Sequence, residues 1–132
     1  MRPEAVTQAL LKVPAILNIV DTRIALGRLP ENSAYPAIVY SVIGGNPIVP
    51  IDAQAGGTIM RTRMQIVALG RTVADVKSIL EQVRLAMNYK SGLINGVQVI
   101  SVVRDLIGPD SKDDEAAVFM QSHDYMITYQ EP

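Results

Sequence analysis

Residues 35–70 read YPAIVYSVIGGNPIVPIDAQAGGTIMRTRMQIVALG, and their reading decides the fold. Two runs rich in strand-favouring residues, PAIVYSVI and TIMRTRMQIVAL, flank a segment built from glycine, proline, alanine and glutamine. In the first run, 37–43, Ile38, Tyr40 and Val42 share one parity and Val39 and Ile43 the other, the mark of a strand covered on two sides. In the second, 58–69, the even positions Met60, Met64, Ile66 and Ala68 face a core. The odd positions Arg61, Arg63 and Gln65 face water or a partner. A hairpin joins its strands with only about two to five residues. A connection spanning 44–57 is therefore expected to project as a β-hairpin arm and touch something else, with Gly45, Asn46, Pro47, Asp52, Gln54 and Gly57 as its contact residues.

Outward from this core, the N-terminus begins with Pro3 and Glu4, which suit a helix first turn, and Val6, Leu10 and Val13 recur at helical spacing. Pro14 breaks that helix, and a short second turn follows over 15–20. Residues 23–29 form a short strand candidate closed by Pro30. The clearest helix spans about 72–90: Thr72 caps it with Asp75 three residues on, Val76, Leu80, Val83 and Met87 form a stripe, and Gly92 is the expected stop. Strands follow at 97–107 and 117–129, separated by a solvated turn, GPDSKDDE, over 108–115. Segregated strands and helices of this kind predict one α+β domain over 1–132. Its sheet should be largely antiparallel, of four to five strands, packed by an N-terminal helix and one long helix.

Composition narrows the function classes. At 132 residues, with 48% hydrophobic residues but no tryptophan and one phenylalanine, the chain has material for one aliphatic core. Only 19% of residues are charged, below the roughly 25% of average proteins, which favours apolar surface hidden against partners. A net charge of −1 gives no electrostatic footprint for phosphate-backbone binding. Without cysteine there are no disulfides, thiol nucleophiles or thiolate metal sites. Neither a signal peptide nor an apolar run of ~18 residues is read from the sequence, so a soluble product is expected, with no membrane partner.

No catalytic, cofactor-binding or metal-binding constellation emerges. His123 is the single histidine, and Asp124 beside it must point to the opposite face of a strand, so the two do not form a base and its orienter. The acidic run Asp110, Asp113, Asp114 and Glu115 lacks the alternating ligands and central glycine of a calcium loop. Gly44–Gly45 and Gly56–Gly57 lack the GK[ST] ending of a phosphate loop. Arg61 and Arg63, two apart on one strand, place two positive charges on one face, suited to an acidic partner or an axial channel.

Taken together, RIALGRLPENSAYPAIVYSV, the glycine-rich segment, MRTRMQIVALG, VADVKSILEQVRLAM, GVQV and the closing DYMITYQE resemble the tail completion or tail terminator proteins of long-tailed bacteriophages. The resemblance implies a structural, non-enzymatic virion protein, assembled in the host cytoplasm into a ring, typically of six. Such a ring would cap the tail tube, halt its polymerisation, and present a surface to the head-closure or connector protein while DNA passes through its hole. On that reading Asp110, Lys112 and Asp113 join the 44–57 segment, Arg61 and Arg63 as expected contacts with a neighbour or the tube. Another neck component, such as a head-closure protein, or a small ligand-binding α+β domain, is the alternative.

Overall fold

The computed structural model describes residues 2–30, 32–48 and 58–131. The chain opens with α1 (Arg2–Leu11) and α2 (Pro14–Val20), and Pro14 explains both the break and the restart. A proline inside a helix removes a donor and clashes with the preceding turn, whereas at a first turn its missing N–H costs nothing. Thr7, buried in α1, is satisfied by donating its hydroxyl to Pro3 O at 2.9 Å. Three further stretches then build half of the sheet: β1 (Ile24–Leu26), β2 (Ala37–Ile48) and β3 (Thr58–Gly70).

Helix α3 (Val73–Met87) starts as its sequence dictates, with Thr72 Oγ1 accepting from the Asp75 N–H at 3.1 Å. Val76, Ile79, Leu80, Val83 and Met87 are buried on one stripe. The expected stop at Gly92 is corrected: the helix ends at Met87, and the left-handed residue after it is Tyr89, at φ +64°. Gly92, at φ +105°, instead opens β4 (Gly92–Ile94). Asn95 and Gly96, both at positive φ, turn this short strand directly into β5 (Val97–Ile107), the two-residue hairpin that an Asn-Gly pair favours. The chain closes with β6 (Ser111–Asp113) and β7 (Val118–Glu131).

The α+β class holds, but the strand count and pairing need correction. Among the described residues the sheet has seven strands in the order β1-β2-β3-β7-β5-β4, with β6 also on β7, and it is mixed because β1 runs parallel to β2. Short β4 and β6 carry too few alternating residues to stand out beside their neighbours; β6 lies inside the acidic stretch expected to be a plain turn. The first strong strand also runs further than its apolar pattern. Gly44–Ile48 stay in the sheet, paired with residues 59–63, after a bulge at Ile43. The connection that remains, 49–57, lies outside the described residues, as do Asp52, Gln54 and Gly57.

One face of the sheet carries the core. Ile38, Tyr40, Met64, Ile66, Ala68, Val99, Val102, Tyr125, Ile127 and Tyr129 point toward the helices and meet Val6, Leu11, Ile16, Val20 and the α3 stripe. The even positions Met64, Ile66 and Ala68 face that core as expected, and Met60 packs half-buried against it. The odd positions of β3 lie on the other face, which no described helix covers. Leu80→Ala, which empties a buried site, should cost about 2–5 kcal/mol of unfolding free energy. The exposed Leu85→Ala, five residues along the same helix, should stay within about 0.5 kcal/mol, and urea titration of the two variants reads the contrast.

Candidate interaction surface

The uncovered face is concave. Ile48 of β2 and Ser101 and Val103 of β5 are separated in sheet order by β3 and β7, yet they line one hollow of about 280 Å³ with Arg61, Asp105, Met126 and Thr128. The curl of the twisted sheet draws these four neighbouring strands around one space. A second hollow of about 480 Å³ adjoins it, walled by Ile43, Gly44, Gly45, Asn46, Arg61, Arg63 and Met126. The structure therefore gathers Gly45, Asn46, Arg61 and Arg63 at one end of the concave face. Pro47 sits beside them on β2, an edge position where its missing N–H breaks no ladder bond.

The two arginines differ in their surroundings. Arg63 donates through Nη1 to Asp124 Oδ2 at 3.2 Å and through Nη2 to Asp105. The hydrogen bond to Asp105, with that to Asp124, holds its guanidinium above the ordinary arginine pKa. Asp124 itself is buried. Asp105 reaches across β7 because β5 bulges between Arg104 and Leu106, which re-aims one side chain. This bridge ties β3, β7 and β5 together across the hollow. Arg61, one pleat along, has no ion-pair partner among the described residues and is exposed. Sequence reasoning placed both arginines on the right face but missed Asp105 and Asp124 as partners, since no pattern within β3 names an acid one or two strands away.

Asp110, Lys112 and Asp113 lie elsewhere. Lys112 pairs with Phe119 on β7, whereas Arg61 pairs with Thr128, nine residues further along that strand. At ~3.3 Å per residue the two groups stand roughly 30 Å apart. The acids are also engaged locally: Asp110 Oδ1 meets Lys77 Nζ at 2.6 Å, and Asp113 Oδ1 accepts from the N–H groups of Glu115 and Ala116 at 3.1 and 3.2 Å. Lys112 leans over the Phe119 ring at 5.2 Å. The expected contact residues thus form two patches at opposite ends of the sheet.

His123 and Asp124 do point to opposite faces. Asp124 joins Arg63 on the concave side, while His123 is buried beneath α3 with Nδ1 unpartnered. Burial first, then the nearby charges of Arg104 and Lys77, hold the imidazole below its ordinary pKa. Tyr125, two residues on, is pushed up to about 12 by burial.

A histidine that titrates at lower pH folded than unfolded takes up protons on unfolding. Unfolding free energy should therefore fall as pH drops below about 6.5 toward the folded value, and the His123→Gln variant should lose that part of the slope. Arg63→Met should lower the melting temperature, because it leaves the Asp124 carboxylate buried and unpaired. Adding Asp124→Asn should restore part of that loss, a coupling that the double-mutant cycle reads directly. Arg61→Met should stay within about 0.5 kcal/mol of the parent.

Comparison with known proteins turns this geometry toward assembly. The structure superposes on a chain in the virion of a native gene transfer agent particle with a TM-score of 0.73, covering 97% of this chain and 93% of that one at 13% sequence identity. At that identity the likeness is one of fold. No curated protein sequence matches the chain. The family model for tail completion protein gp17 matches residues 4–129, from α1 to the end of β7. This chain belongs to the tail completion protein gp17 family.

Proposed function

We propose that this protein is a structural component of a phage-type virion tail, assembled as a ring of identical subunits that caps the head-proximal end of the tail tube. The ring halts tube polymerisation and offers its opposite side to the head-closure or connector protein, and DNA passes through its centre without sequence-specific contact. Six is the subunit number the family resemblance implies. The observation that carries this reading is the family match across the whole folded domain.

The geometry supports the same role. A terminator subunit must touch at least two different partners along the tail axis, and the candidate contacts fall into two patches roughly 30 Å apart on one strand, a distance set by ~3.3 Å per residue. The described surface also offers aliphatic side chains for such contacts: Val42, Ile43, Ile48, Leu93, Ile100, Leu106 and Ile107 are all exposed. Catalysis fits poorly, since His123 faces away from Asp124 and lies buried under a helix. No described helix is long and apolar enough to cross a membrane.

Sedimentation with purified tail tubes tests the reading. Because only tube ends bind, the bound amount should scale with the number of tubes and not with their total length, and added protein should arrest further growth. A chain that stays monomeric by light scattering and ignores tubes would contradict it. Deleting residues 54–57 should abolish capping while leaving the monomer's melting curve unchanged. Wild-type capping by that deletion would remove the 44–57 segment from the interface.

A further inference from the structure

The two long edges of the sheet are not equivalent. On β5 two backbone groups near its middle are already occupied: the Tyr89 N–H donates to Val102 O at 2.7 Å, and Asn88 Oδ1 accepts from the Arg104 N–H at 2.9 Å. β4 covers the start of the same strand, opposite Val97 and Val99. The residue that seals this edge is itself unusual. Tyr89 holds φ at +64°, a conformation that disfavours bulky side chains, and the residue is left 79% exposed. Among the described residues its ring makes no hydrogen bond or stacking contact. The bond to β5 explains the turn but not the aromatic side chain, since glycine would hold the same φ without strain, and an exposed ring at such a position points to a use outside the subunit.

The β2 edge offers the complementary shape. Beyond Tyr40 no described strand pairs with its outer side, and no charged residue occurs between Ala37 and Ile48. Gly44 and Gly45 lie side by side there. Gly45 is required by the fold, because a Cβ would come within 2.8 Å of Thr62 Oγ1 and 3.0 Å of Arg61 O. Gly44 is not: its φ lies outside the left-handed region and a Cβ would meet nothing within 4 Å. A glycine inside a strand weakens it and often marks close approach by another group, and within the described subunit nothing approaches Gly44.

Position and direction match as well. Gly45 pairs with Thr62, Thr62 with Ile127, and Ile127 with Val102, the residue to which Tyr89 is bound. Tyr89 and the glycine pair therefore stand at the same height on opposite edges. Each step from β2 through β3 and β7 to β5 is antiparallel, so β2 and β5 run in opposite directions and identical copies placed side by side keep the alternation.

We propose that Tyr89 of one copy seats on the Gly44–Gly45 edge of the next, a head-to-tail contact in which an aromatic ring covers bare glycine backbone. The occupant of each site is a second copy of this chain. The contact is side-chain packing and not an extension of the sheet, because Val102 O and the Arg104 N–H, which stand at that height on β5, are taken and Pro47 has no N–H to give. It rests on the ring reading above and names the interface that closes the ring.

Tyr89→Gly is the discriminating variant, since glycine is at ease at φ +64°. Its monomer should melt no lower than the parent, yet its assembly should weaken at least tenfold. Gly44→Leu, which blocks the seat in open space, should do the same. The chain contains no cysteine, so the double variant Asn46→Cys/Lys90→Cys, which flanks the contact and leaves it intact, reports neighbours without background. With a short bis-maleimide linker, assembled double variant should give a covalent ladder, and each single variant should stay uncrosslinked.

Dimers from either single variant would show a two-fold contact and overturn the proposal. So would full assembly by Tyr89→Gly, or a missing ladder in a sample that has assembled. A parent chain that never self-associates, free or on tubes, fails the ring reading itself and this contact with it.

Discussion

The antiparallel pairing of β3 with β7 is the constraint on which the rest of this subunit depends. It runs unbroken from Thr58 opposite Glu131 to Gly70 opposite Phe119. Because the pleat has period two, that single register decides every face at once: Met64, Ile66, Tyr125 and Ile127 go to the helices, and Arg61, Arg63, Asp124 and Met126 go to the concave side. A slip of one residue would bury both arginines and expose the core. β2 and β5 then add to either side of this pair, with bulges at Ile43, Ile100 and Asp105 that increase the local twist and curl the sheet. The pairing joins residues 49 to 73 positions apart, so it must be won against chain entropy before the flanking strands gain anything.

Curling sets the two faces of the sheet apart. The convex side is filled by three helices whose apolar stripes meet the core. On the concave side, Arg63 bridges Asp105 and Asp124 and fixes the spacing of three strands, leaving Arg61 and the aliphatic rim of Ile43, Ile48 and Val103 to face outward. Such a subunit has one satisfied face and one face, with its edges, still able to make contacts. That division suits a part that is finished only within an assembly, in keeping with the tail completion family to which the chain belongs.

Much of this was legible in residues 35–70 and in 72–90. Alternation in TIMRTRMQIVAL assigned both faces of β3, and Thr72, Asp75 and the Val76–Met87 stripe located α3, because both signals are local and periodic. What escaped was set by neighbours. Nothing within PAIVYSVIGGNPI shows that the strand continues through two glycines and a proline, since its partner residues 59–63 supply the pairing. The stop at Tyr89 instead of Gly92 follows from Asn88 and Tyr89 reaching the β5 edge, a tertiary contact that overrides glycine's usual advantage. Of the candidate contact residues, Gly45, Asn46, Arg61 and Arg63 do come together. Asp110 and Asp113 do not join them, being held by Lys77 and by their own turn.

Hydroxyl-radical footprinting of the protein, free and bound to tail tubes, tests most directly whether the sheet's free edges and concave face make the assembly. On binding, labelling should drop at Ile43, Ile48, Tyr89, Leu93 and Met126, while the buried Met64 and Met87 stay unlabelled in both states. Unchanged labelling at those five positions, with protection confined to the outer surface of the helices, would contradict the account.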